Sequence, residues 1–136
     1  MSMTLVAPHE DVLFMSSSDN GTPYSDVRLS ADVSKYDAIR IATSKIDGSD
    51  WNVSVSEGPV ITRNGKRGSH ISMVCAQLVG ATTQVATASI LVEGTRILFG
   101  SSFWLNRSQS SGQFSTGAEP NFNAYHVFYV IGIRYQ

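Results

Sequence analysis

The chain is predicted to fold as one all-β domain spanning residues 1–136, an antiparallel β-sandwich or jelly roll of about eight strands. Three observations predict it. Apolar and small polar residues alternate with a period of two along most of the sequence. Glycine- and asparagine-bearing turn signals separate the alternating runs at short intervals. No stretch carries the i, i+3, i+4, i+7 stripe, bounded by a cap and a glycine stop, that marks a helix. Of 136 residues 42% are apolar, 10% aromatic and only 15% charged, so the chain can fill a core and is too poor in charge to be disordered. At least about 40% strand is therefore expected, against roughly a quarter in ordinary domains, with no helix beyond two turns.

The elements follow in order. Residues 1–11 read as an attachment arm, and 12–16 as the first strand. Asn20-Gly21-Thr22-Pro23 marks a turn, 26–29 a short strand, and 30–35 a single short helical turn. Residues 36–44 form the next strand, closed by Asp47-Gly48. In 51–56, Trp-Asn-Val-Ser-Val-Ser, apolar residues take one face and polar ones the other, as on a half-buried strand. Asn64-Gly65 is the strongest hairpin signal, because both residues accept positive φ. Strands at 70–79, 84–92, 96–105 and 125–135 follow, with Gly80-Ala81 and Glu93-Gly94 as turns. Residues 108–123, rich in serine, glycine, glutamine and asparagine, read as an exposed excursion carrying Phe114 and Phe122, its polar side chains suited to adaptable contacts.

Charge is unevenly spread. Residues 1–67 hold sixteen of the twenty-one charged side chains, so the second half reads as the interior or intersubunit half. A net charge of −1 supplies no global attraction to nucleic acid or anionic membrane, and neither is expected as a partner. No run approaches the ~18 apolar residues of a membrane helix and no signal peptide opens the chain, so a soluble protein without membrane insertion is expected. Cys75, flanked by Met73, Val74 and Ala76, reads as a buried thiol.

Chemistry is sparse. His9, His70 and His126 show no metal spacing, and the aspartates fall at turns and strand ends, where they serve local hydrogen bonds. No nucleophile elbow, phosphate-binding loop or dinucleotide fingerprint is present. The expectation is a non-enzyme without metal or cofactor. Arg63-Asn64-Gly65-Lys66-Arg67 concentrates positive charge on the hairpin tip, and two readings of Arg63, Lys66 and Arg67 stand: a solvated tip, or contacts to an acidic sugar or a neighbouring subunit's carboxylates. Phe103 and Trp104 should point to opposite faces of one strand. Tyr125, Tyr129 and Tyr135 should share a face opposite Phe128 and Val130. Those aromatics fit either a central strand packed on both sides or an oligomer interface at Phe103, Trp104, Tyr125, Phe128 and Tyr129.

The order of several phrases carries a resemblance. Val12-Leu13-Phe14 leads to Leu29-Ser30, then Tyr36-Asp37-Ala38-Ile39-Arg40-Ile41. His70-Ile71-Ser72-Met73 precedes Ile90-Leu91-Val92-Glu93-Gly94, and Val127-Phe128-Tyr129-Val130-Ile131-Gly132-Ile133 closes the chain. Over residues 11–136 this pattern resembles small β-domains of tail-fibre and other minor virion proteins of tailed bacteriophages. The resemblance implies a module that makes contacts instead of chemistry. Its expected partners are itself, often as a trimer, other virion proteins and a host-surface glycan or protein, and its expected place is the virion, assembled in the host bacterial cytoplasm. The trimeric shaft that normally precedes a fibre tip is not in this sequence, which leaves two virion roles: tail-fibre or tail-tip receptor binding, and capsid decoration. A free carbohydrate-binding module is the remaining alternative, and would need an exposed aromatic platform.

Overall fold

A computed structural model describes residues 7–46, 51–79, 82–108, 111–118 and 125–135. The strands are β1 (His9–Met15), β2 (Thr22–Pro23), β3 (Ala38–Lys45), β4 (Ser54–Arg63), β5 (Lys66–Val79), β6 (Thr82–Glu93), β7 (Arg96–Ser108), β8 (Phe114–Ala118) and β9 (Tyr125–Arg134). Every pairing is antiparallel, in the order β1-β9-β3-β4-β5-β6-β7-β8 with β2 also on β9, and the sheet curls into a half-barrel. The all-β prediction holds, and the only described helices are two single 3-10 turns.

The curl is concentrated in β4. Its first half pairs with β3 from Ser54 to Pro59, and its second half pairs with β5 from Val60 to Arg63. A strand that changes partners makes a corner between two half-sheets. At the corner Gly58 leaves room that a Cβ would take, 3.0 Å from Ile71 Cγ1 and 3.1 Å from Ser69 Oγ. The buried Ser69 hydroxyl instead donates to the Gly58 carbonyl at 2.9 Å.

The concave face holds the core. Ile39 and Ile41 of β3, Met73 of β5, Ile90 and Val92 of β6, and Val127 and Val130 of β9 are all essentially inaccessible. Cys75 is buried beside them, as its neighbours predict. Burial alternates along β5: Ile71, Met73 and Cys75 point in, while His70, Ser72 and Val74 point out. Tyr24, Phe99 and Tyr125 form an aromatic lane, with ring centroids 4.9 Å and 5.0 Å apart.

The segment from Tyr24 to Tyr36 crosses the open side of the curl and closes it. Val27, Leu29, Val33 and Tyr36 are buried there. Its backbone is tied at 2.9–3.0 Å by Leu29 N to Thr95 O, Ser30 N to Leu13 O and Val33 N to Gly94 O. The strand expected at 26–29 is therefore a correction. Its alternating Val27 and Leu29 are plugs on a crossing segment that begins with the 3-10 turn Tyr24–Asp26. The short turn expected at 30–35 is present as Val33–Lys35, capped where Asp32 Oδ1 accepts from Ser34 N at 2.9 Å.

Two hairpins follow the turn chemistry. Asn64 (φ 52°) and Gly65 (φ 76°) both take positive φ, as a two-residue type I′ loop requires. Gly94 (φ 61°) and Thr95 join β6 to β7 with the glycine-first pattern of type II′. The Asp47-Gly48 and Gly80-Ala81 turns lie outside the described residues. Two further expectations are corrected. Residues 114–118 of the expected excursion form β8, paired with β7 after a turn in which Gly112 N donates to Ser108 O. Residues His9–Asp11, placed in an arm, open β1.

Candidate functional site: the outer face of β4–β7

The face of β4–β7 turned away from the core is built by register. His70 sits opposite Leu91, which sits opposite Leu98, making one cross-strand row. Ser72 opposite Ser89 begins the next row, roughly 7 Å along at two residues of strand rise. Beyond Ser89 the β6–β7 ladder slips: Ala88 faces Ser102 and Ile90 faces Phe99, so Gly100 and Ser101 share one partner in a bulge. At Gly100 the missing side chain leaves a dimple, where even a Cβ would come no nearer than 3.5 Å to Ser89.

A hollow of about 430 Å³ results, lined by Arg63, His70, Ser72, Ser89, Leu91, Leu98 and Gly100 among others. A second, of about 420 Å³, shares Arg63, His70, Leu91 and Leu98 and adds Asn64, Lys66 and Glu93. The pair forms one groove that runs from the hairpin tip to the serine row. Leu98 is half exposed, as is Val74 further along the face.

The basic cluster divides by parity. Arg63 and Lys66 pair directly across the hairpin and share the outer face. Lys66 Nζ lies 3.9 Å from Glu93 Oε1, whereas Arg63 makes no hydrogen bond or ion pair among the described residues. Arg67 turns the other way and is structural: its Nε donates to Ser34 O at 3.0 Å and its Nη2 to Tyr36 O at 3.3 Å, bracing the crossing segment. Of the three predicted basic contacts, the fold thus brings two to the groove. His70, Leu91 and Leu98 completed it unseen, because their meeting depends on a register that joins residues far apart in sequence.

The predicted aromatics scatter. Tyr125 is fully buried against Phe99, a core residue and not an interface residue. Tyr129 and Phe128 are half-buried on β9, which is a central strand paired on both edges. Tyr125 and Tyr129 do not share a face, because the β3–β9 ladder slips between Ala42 and Thr43 and inserts Phe128 as an extra residue. The buried set becomes Tyr125, Val127 and Val130. Phe103 and Trp104 stand opposite Thr87 and Ala86 in the ladder, and Phe114 opposite Arg107; the side chains of these three, and Phe122 altogether, lie outside the described residues.

Two other clusters are outward or at the rim. On the outer face of β1–β4 the rows Val12–Ile131–Arg40–Glu57 and Met15–Tyr129–Ala42–Val55 expose Val12, Met15 and Val55. Arg40 staples that face, with Nη1 3.1 Å from Glu10 Oε1 and Nη2 3.1 Å from Glu57 Oε1. Burial works against its charge, but the two carboxylates outweigh burial and raise its pKa. At the rim, the Tyr36 hydroxyl donates to Asp11 Oδ2 at 2.7 Å, Arg134 Nη2 reaches the same oxygen at 3.1 Å, and His9 lies 2.9 Å from Oδ1. The Tyr36 hydrogen bond is the main reason the Asp11 carboxyl sits below its ordinary range, helped by His9 and Arg134 against a smaller effect of burial. Compared with known protein families, characterised proteins and solved structures, the chain matches none.

Proposed function

We propose that the protein is a non-enzymatic structural component of a tailed-phage virion, a tail-fibre or tail-tip module whose outer β4–β7 face contacts the host surface. The observation that carries this reading is the groove itself. The core is closed on the concave side by the crossing segment, yet the convex side keeps a recess with the cationic Arg63 and Lys66 at its mouth and the half-exposed Leu98 in its wall. Recesses that combine apolar walls with a few placed polar groups are where ligands dock. The phage setting rests on the phrase resemblance over residues 11–136.

Gold-labelled antibody against the protein, viewed on purified particles, tests the placement, and competition by the purified protein tests the role. Label at the tail end, with adsorption slowed by excess protein, supports it. A second reading, capsid decoration, is favoured by the apolar rows Val12–Ile131 and Met15–Tyr129–Val55 on the other convex face, which suit bridging coat subunits. Label over the shell, with adsorption unaffected, would select it, and particles without label would sink both.

A further inference from the structure

We infer that the Arg63–His70 groove is a binding site for a carboxylate-bearing sugar ring, of the uronic-acid class. This deepens the receptor-contact reading above and rests on it. Three kinds of group follow one another along the groove in the order such a ring would need. Arg63 stands at the hairpin end, with no anion among the described residues, and Lys66 beside it is held only loosely by Glu93, at 3.9 Å. A guanidinium in that state is matched to a carboxylate, which it can grip through two parallel hydrogen bonds. Beyond the intervening Gly68–Glu93–Arg96 row, the His70–Leu91–Leu98 row supplies apolar surface for the C–H face of a ring, and the long Arg63 side chain bridges that gap, since it lines the same hollow as His70 and Leu98. The Ser72–Ser89 pair follows roughly 7 Å further on, with hydroxyls that both donate and accept.

The hollow, at about 430 Å³, falls within the size range of small-molecule sites. Its depth comes from the Gly100 bulge, a feature without which the serine row would be flat. An acidic peptide strand is a poorer fit. Peptides commonly bind sheets by pairing with an open edge, whereas the floor of this hollow is the ladder of β5, β6 and β7, so a peptide added to the edge that β4 leaves free on β5 beyond Ser69 would lie beside the hollow and not in it.

The test uses the full chain, with D-galacturonate as probe and D-galactose, acetate and a short Asp/Glu peptide as comparators, followed by amide chemical-shift titration. The site predicts saturable shifts at His70, Leu91 and Leu98 with galacturonate, and at least about tenfold weaker binding of galactose and acetate. Arg63→Gln should weaken galacturonate about tenfold or more, the scale of one charge-assisted bond. Gly100→Leu, entered where a Cβ meets only ordinary contacts, should abolish binding while leaving the fold intact. Equal binding of galactose or acetate, tighter binding of the peptide, shifts centred elsewhere, or an unaffected Arg63→Gln would each overturn the assignment. Gold labelling of particles is read separately. Label at the tail end without galacturonate binding would sink the sugar site and leave the virion role standing, and binding without label would do the reverse.

Discussion

Gly132→Ala should destabilise the protein well beyond what one methyl group ordinarily costs. Gly132 lies on β9 between Asp11 of β1 and Ile39 of β3. A Cβ there would sit 2.7 Å from Tyr36 Cδ1 and Cε1 and 2.8 Å from Cγ, against one whole side of the ring. To reach ordinary contact at 3.4 Å the ring must retreat by 0.7 Å. It has little freedom to do so. Tyr36 is only 5% exposed, its hydroxyl is bound to Asp11 at 2.7 Å, its amide donates to Val33 O at 3.0 Å, and Arg134 covers the ring at 5.4 Å. Overpacking of this kind costs about 1–3 kcal/mol. For a domain of this length that is a fall in Tm of about 3–10 °C. Thermal and urea unfolding of Gly132→Ala should show it. In a Tyr36→Leu background the added cost should drop below about 0.5 kcal/mol, since the clash is with the ring. An equal cost in both backgrounds, or no change in the single variant, would refute the packing argument.

Three further outcomes are expected. Met73→Ala, at a position with no exposed surface, should cost about 2–5 kcal/mol in urea unfolding, while Val74→Ala next to it, half exposed on the opposite face, should stay within about 0.5 kcal/mol; similar values would contradict the inward–outward assignment of β5. Gly65→Ala should cost about 1–2 kcal/mol through backbone strain alone, since φ is 76° and nothing lies within 4 Å of the new Cβ, and Gly100→Ala should cost almost nothing; the reverse ranking would refute the turn assignment. Asp11 and Asp32 have lowered pKa values, chiefly from the Tyr36 hydroxyl and from the Ser34 backbone N–H respectively. Their stabilisation is present above the unfolded carboxylate range near about 4 and is lost as pH falls through their folded values. Acid unfolding should therefore begin below about pH 4 and be shallower in Asp11→Asn, and an acid limb unchanged by that variant would count against the rim network.

Strand alternation read the sheet well where each strand has one buried face, as in β5, where Ile71, Met73 and Cys75 point in. It read Val27 and Leu29 as strand because an extended plug and a strand show the same period of two. β8 was missed for the opposite reason. Phe-Ser-Thr-Gly-Ala lacks apolar alternation, and only pairing with β7 makes it a strand. A single inserted residue, Phe128, was enough to reassign the tyrosines of β9, since a one-residue slip exchanges the faces. Lys45, though charged, is 5% exposed, with Nζ 4.7 Å from the Trp51 ring centroid, a burial that its charge alone does not announce. At the groove, charge made Arg63 and Lys66 legible. His70, Leu91 and Leu98 were not, because nothing in a linear sequence states which strands pair or in what register.

A strand late in the sequence, β9, lies between two that begin more than eighty residues before it. β9 pairs with β1 on one side and β3 on the other, and β2 also pairs with it. Until residues 125–134 emerge, β1 and β3 lack their common neighbour, and each exposes a row of unpaired backbone groups with apolar Leu13, Ile39 and Ile41 beside it. The growing chain is thus held open until residues 125–134 have been made. Long-range closure of this kind makes folding slow and leaves nascent edges able to pair with one another. Crowding of many such chains on one messenger would raise the hazard, and a product cut short before Tyr125 should collect as aggregate instead of as a smaller folded domain.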